Sequence, residues 1–157
     1  MQETENKLPL MLRIILTLSF IGSSFFMFTG LQDAFSTPSQ ERIDSFKKIF
    51  ENVKDETPES QQMIEDSFVF MESINLNIVN YGVARFMLNA ISVIGVYLMY
   101  RKRKIGFMVY SGVQSLMLGL PILFGGYSSF SLGVTFVFGF ITMVFIVLYA
   151  SQLKYLE

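Results

Sequence analysis

The sequence predicts an all-α integral membrane protein, four transmembrane helices with an extracytoplasmic helical hairpin between the first and the second. Three observations carry that reading. Hydrophobic residues make up 52% of the chain and charged residues 16%, with a mean hydropathy of +0.47, more apolar than a soluble domain requires. The apolar residues fall into four blocks of about twenty residues or more, the length that crosses ~30 Å of hydrocarbon as a helix. The charge is divided as well: residues 32–77 hold ten acids and four bases, net −6, and the remainder holds three acids and eight bases, net +5.

The first span extends from about Leu8 to Leu31 (LPLMLRIILTLSFIGSSFFMFTGL). Its apolar stretch exceeds the ~7–15 residues of a signal-peptide core, the preceding MQETENK is not basic, and no small-residue cleavage pattern follows. It reads as a retained helix. The hairpin follows, over about residues 37–74. Thr37-Pro38-Ser39-Gln40 combines a capping residue, a proline at the first helical position and a glutamine at the third, the pattern of a capping box. Ile43, Phe46, Ile49, Phe50 and Val53 then recur at spacings of three and four, opposite Arg42, Asp44, Lys48 and Glu51, which makes the arm amphipathic. Pro58 disfavours helix at Thr57, and a second arm with Met63, Ile64, Phe68, Met71 and Ile74 leads into the second span.

The hairpin's apolar side has two readings. It folds down as a lid on the outer ends of the spans or lies in the headgroup layer, or it receives another protein, with Ile43, Phe46, Phe50, Val53 and Phe68 as the docking residues. Its acidity disfavours anionic lipid as the attraction.

The second span runs from about Ile78 to Tyr100, the third from about Ile105 to Phe124 and the fourth from about Phe130 to Leu153, so residues 1–157 form one membrane domain. Pro121 should kink or end the third span near the tight GGYSS connection. Small residues four apart let helix backbones approach, which singles out Ser19 and Ser23, then Ser111, Ser115 and Gly119, then Ser131, Thr135 and Gly139 as helix-packing positions. Without Trp, an aromatic belt has to come from Tyr and Phe, and Tyr97, Tyr100, Tyr127, Tyr149 and Tyr155 fall near span ends. Orientation follows from Arg101, Lys102, Arg103 and Lys104, a basic cluster between the second and third spans that anchors its loop in the cytoplasm. Both termini are then cytoplasmic, and residues 32–77 and 125–129 lie outside.

The chain holds no His and no Cys. That removes thiol chemistry, the usual zinc ligands and the commonest general acid/base. No cofactor, metal or nucleic acid is expected, no nucleotide or catalytic signature is present, and the halves share no repeat.

Polar groups inside the spans are few. Arg85, Asn89 and Ser92 share one face of the second span, and Tyr110 and Gln114 lie on the third. They read as a polar seam of interhelical hydrogen bonds or as a small ligand site. Arg85 falls about 6 Å below the outer boundary at ~1.5 Å per residue. It either snorkels outward with Asp33 as counter-ion, or it holds an anion or lipid headgroup.

The stretches LTLSFIGSSFF (16–26), RKRKIGFMVYSGVQSLMLGLPILFG (101–125) and LYASQLKYL (148–156) resemble small four-span proteins widespread in Bacteroidota, through Lys104, Gly106, Phe107, Tyr110, Gln114, Pro121, Tyr149 and Lys154. The resemblance covers spans one, three and four, implies a bacterial inner-membrane location and implies no activity. The reading that follows is a non-enzymatic one. The chain is expected to be an accessory subunit or assembly factor of a larger envelope complex, in contact with membrane lipid and with other membrane subunits or copies of itself. The alternative is a lipid- or small-anion-binding or transport element centred on Arg85.

Overall fold

The computed structural model describes residues 8–51 and 57–157. Among them there is no strand. The helices are α1 (Leu10–Ala34), α2 (Gln40–Glu51), α3 (Pro58–Leu76), α4 (Ile78–Tyr100), α5 (Ile105–Met117), α6 (Leu120–Gly125) and α7 (Ser129–Ser151), with a short 3-10 turn at Leu153–Tyr155. Four stretches are long and apolar enough to cross a membrane: α1, α4, the broken helix α5–α6 (Ile105–Gly125), and α7. The chain is a multi-pass membrane protein, as its hydropathy blocks predict.

Several boundaries have local causes. α1 continues three residues past the expected Leu31, which brings Asp33 into its last turn. α2 begins at Gln40, not at Pro38, so the expected Thr37 capping box does not form; the backbone N–H of Ser39 is taken up instead by Asn75 Oδ1 of α3 (3.2 Å). The cap of that kind is at α3, where Thr57 Oγ1 accepts from the Ser60 N–H and Pro58 occupies the first turn. Pro121 lies at the break between α5 and α6, because a proline cannot supply the N–H that would continue the ladder. Ser128 and Ser131 form a reciprocal capping box that starts α7.

Two antiparallel contacts organise the bundle, and both run through glycine. A Cβ on Gly30 would lie 2.7 Å from the Phe86 nitrogen, and one on Gly82 would meet the backbone of Asp33 and Ala34, so α1 and α4 touch backbone to backbone there. Farther down α4, a Cβ on Gly95 would lie 2.9 Å from the Tyr110 nitrogen, and Gly106 faces Gly95 and Met99. α7 is different. It is the most apolar of the four, with only 6% of its membrane window buried, so it is the span with the least of its surface packed inside the bundle.

The buried side chains form two clusters. One, near the 101–104 loop, comprises Leu12, Ile15, Leu16, Val96, Met99, Tyr110, Tyr149 and Leu156. The segment after α7 is tied to that loop by backbone hydrogen bonds between Glu157 and both Lys102 and Lys104. The other cluster lies at the opposite end, where Phe70, Ile74 and Ile78 gather with Met71, Tyr81, Phe124 and Phe130. One face of α3 therefore packs on the ends of α4, α6 and α7, and the Phe70 ring fills the space a side chain at Gly125 would need.

Candidate functional site

The region between those two clusters is polar. Ser23 Oγ lies 3.0 Å from Ser92 Oγ, which accepts from Gln114 Nε2 at 3.1 Å, so α1, α4 and α5 are linked at mid-membrane. One turn away Ser19 Oγ lies 3.3 Å from the Tyr110 hydroxyl, while the Tyr149 hydroxyl reaches Ser19 Oγ (2.8 Å) and the Ile15 carbonyl (3.1 Å). Asn89 Nδ2 donates to the Arg85 carbonyl at 2.8 Å. Of the expected seam, Ser92, Tyr110 and Gln114 are hydrogen-bonded between helices, within a network that spans α1, α4, α5 and α7 instead of two spans, while the Asn89 side chain bonds only within α4.

The additional members are Ser19, Ser23 and Tyr149. The serines were expected as small packing residues; they are buried and also hydrogen-bonded. Tyr149, expected in an interfacial belt, is fully buried because its hydroxyl has partners on α1 and its ring stacks edge-on against Tyr110 (5.2 Å). Tyr97, Tyr100, Tyr127 and Tyr155 are exposed. Tyrosines placed four or more residues inside a span could have been read as seam members; only Tyr110 was.

Arg85 is at the α3 end of the seam. Its Nη1 forms an ion pair with Asp33 Oδ2 at 2.8 Å and its Nη2 donates to Thr29 Oγ1 at 3.0 Å. The guanidinium also faces the rings of Tyr81 (5.3 Å) and Phe26 (5.8 Å). The ion pair is about one-fifth exposed on each side. Asp33 lies in the last turn of α1 and Arg85 is the eighth residue of α4; their pairing makes Asp33 the counter-ion and leaves no net charge at the site.

Beside the seam is a cavity of about 260 Å³. Ser19, Ser23, Arg85, Asn89, Tyr110 and Gln114 supply its polar wall. Tyr81 of α4 and Thr142 of α7 also line it, and the rest is apolar, mostly from α1, α6 and α7. No group of three or more Asp, Glu, His or Cys side chains comes together among the described residues.

The other candidate positions are distributed as follows. Ser111 and Ser115 hydroxyls bond carbonyls of their own helix; Ser115 is exposed on α5 and Gly119 is exposed at the break before α6. Ser131 is buried in the α7 cap, Thr135 Oγ1 reaches the Leu118 carbonyl at the α5–α6 break (3.5 Å), and Gly139 lies against Leu118 at ordinary contact distance. Ile43 is buried, and Phe46 stacks edge-on against Phe68 (6.1 Å), so this part of the apolar stripe lies between α2 and α3. For Phe50 only the helical backbone is described, and Val53 lies outside the described residues. Lys102 has a positive φ of 62° at the head of the basic loop. Comparison with protein families, with curated proteins and with solved structures finds no match to this chain.

Proposed function

We propose that the protein is a non-catalytic subunit or assembly factor of a cell-envelope membrane complex, seated in a bacterial inner membrane with both termini cytoplasmic and the α2–α3 hairpin outside. The orientation rests on the basic residues 101–104, and the choice of membrane on the resemblance to four-span proteins of Bacteroidota. The role rests chiefly on Ile49 (65% exposed) and Val69 (60% exposed), large apolar side chains of the hairpin that lie outside the four membrane-crossing stretches. Lipid accounts for the exposed apolar residues of the spans; these lie on α2 and α3, outside the spans, where a partner surface would cover them. An acidic hairpin with apolar side chains left over fits a partner surface that is apolar with a basic rim.

The anion-binding alternative is less well supported, because the Arg85 charge is already matched by Asp33. An anion there would have to displace a carboxylate held at 2.8 Å.

The test is purification in mild detergent of the wild type and of the double variant Ile49→Gln, Val69→Gln. A second protein at fixed stoichiometry with the wild type, absent from the variant while its melting temperature is unchanged, supports the role. A wild type that elutes as a lone monomer from native membranes rejects it.

A further inference from the structure

The amide of Asn89 has only one of its polar atoms in use. Its Nδ2 donates to the Arg85 carbonyl, an atom that can only accept, so the orientation of the amide is fixed and Oδ1 points away from that bond. No hydrogen bond reaches Oδ1 among the described residues, although Asn89 is 3% exposed and lines the cavity. Asn89 is also the twelfth of the 23 residues of α4, which is the middle of the span. At that depth no bulk water is present to satisfy a carbonyl oxygen.

The cavity also has a way in. Leu18 and Phe26 of α1 and Phe138 and Ile141 of α7 line it, and each is between 43% and 55% exposed. Its mouth therefore lies between α1 and α7 and opens sideways into the hydrocarbon. α7 contacts α1 through Tyr149 near one end and α3 through Phe130 near the other, and the stretch between spans the opening. Gly22, on the α1 side of the mouth, has nothing within 4 Å of where a side chain would begin.

The geometry points to a binding site for a small uncharged amphiphile, a hydrocarbon body carrying one hydroxyl or phenolic O–H that donates to Asn89 Oδ1. The volume, just under the ~300–1,000 Å³ of typical ligand pockets, suits a short or single chain. Charge selects against an ionised ligand: Arg85 and Asp33 neutralise each other, and every other polar group on the wall is neutral. The hydroxyl is selected because an O–H within hydrocarbon and a carbonyl within hydrocarbon each lack a partner until they meet. This site does not depend on the subunit role, since it is within the bundle and the docking residues are on the hairpin.

The probe is a dodecanol bearing a diazirine on its chain, photoactivated with the protein in phosphatidylcholine nanodiscs, with its methyl ether and the matching carboxylate as comparisons. Adducts are mapped by mass spectrometry and normalised to Met143 and Val147, which face lipid. The alcohol should label the cavity-lining residues Leu18, Phe26, Phe138 and Ile141 about fivefold more than the ether, the scale of one intramembrane hydrogen bond. Asn89→Leu should reduce the alcohol to the level of the ether, and Gly22→Leu should remove the cavity labelling of both while labelling at Met143 and Val147 persists. Equal labelling by alcohol and ether on the wild type overturns the proposal without recourse to any variant. So does cavity labelling no higher than that at the lipid-facing positions, as does stronger labelling by the carboxylate.

Discussion

Arg85 shows why a single charge inside a span needs its neighbours before it can be interpreted. Its depth and its lean toward the N-terminus of α4 were legible in the sequence. The partner was legible only in part, because the sequence places Asp33 beyond the expected end of the first span, and it is the longer α1 that turns the carboxylate toward α4. Thr29 carried no signal at all, although it lies four residues before Asp33 and so on the same helix face. A lysine could keep the ion pair but not the planar fork, whose two terminal nitrogens serve two different acceptors. Arg85→Lys should therefore be milder than Arg85→Gln, which leaves Asp33 unpaired beside hydrocarbon. In a double-mutant cycle with Asp33→Asn, measured by unfolding in mixed micelles, the pair should show a coupling of about 1–2 kcal/mol. Strictly additive losses would mean that the two residues are merely adjacent.

At the scale of the elements, the four spans were visible as hydropathy and the helices α2 and α3 as period, because both are written along one helix at a time. What joins helices was harder to see. The serines at 19 and 23 are four apart and were recognised as small; their bonds to Tyr149, Tyr110 and Ser92 depend on which helices become neighbours. The glycines that set the two closest approaches have no repeat along the chain: Gly30 and Gly82 belong to different helices, as do Gly95 and Gly106. The four-apart rule misses Gly82, Gly95 and Gly106 and finds Gly30 only together with Ala34, beyond the expected end of the first span, since a contact between antiparallel helices pairs one residue on each. Their roles give a sharp expectation. Gly82→Ala places a methyl against the Asp33 and Ala34 backbone, which cannot move aside as a side chain tip can, so it should destabilise the fold by roughly 1–3 kcal/mol. Gly133→Ala, with open space at the same position, should be neutral or slightly stabilising through helix propensity. Thermal melts in one detergent suffice, and equal melting temperatures for the two variants would remove the α1–α4 glycine contact from the account.

Across the whole molecule, polarity is arranged in layers: an apolar cluster beside the 101–104 loop, a hydrogen-bonded middle with the cavity, and an apolar cluster under α3. The hairpin and the basic loop are therefore at opposite ends of the bundle, and one experiment fixes which end faces which compartment. The chain has no Cys, so any single cysteine introduced reports without background. Gln61 is exposed in the first turns of α3, and Arg103 is exposed in the basic loop. Positive charge beside a span resists translocation, whereas the acidic hairpin crosses with little hindrance, so the hairpin end should face outward. In intact cells whose outer membrane has been made permeable, Gln61→Cys should react with a membrane-impermeant maleimide and Arg103→Cys should react only after lysis. Replacing Arg101, Lys102 and Lys104 by Gln in the Arg103→Cys background should then increase labelling in intact cells, because the loop is held inside by charge and not by the packing of the helices. If the neutral loop stays fully protected, orientation is set elsewhere in the chain, with Arg13 of α1 and Lys154 after α7 as the remaining bases near the same end among the described residues.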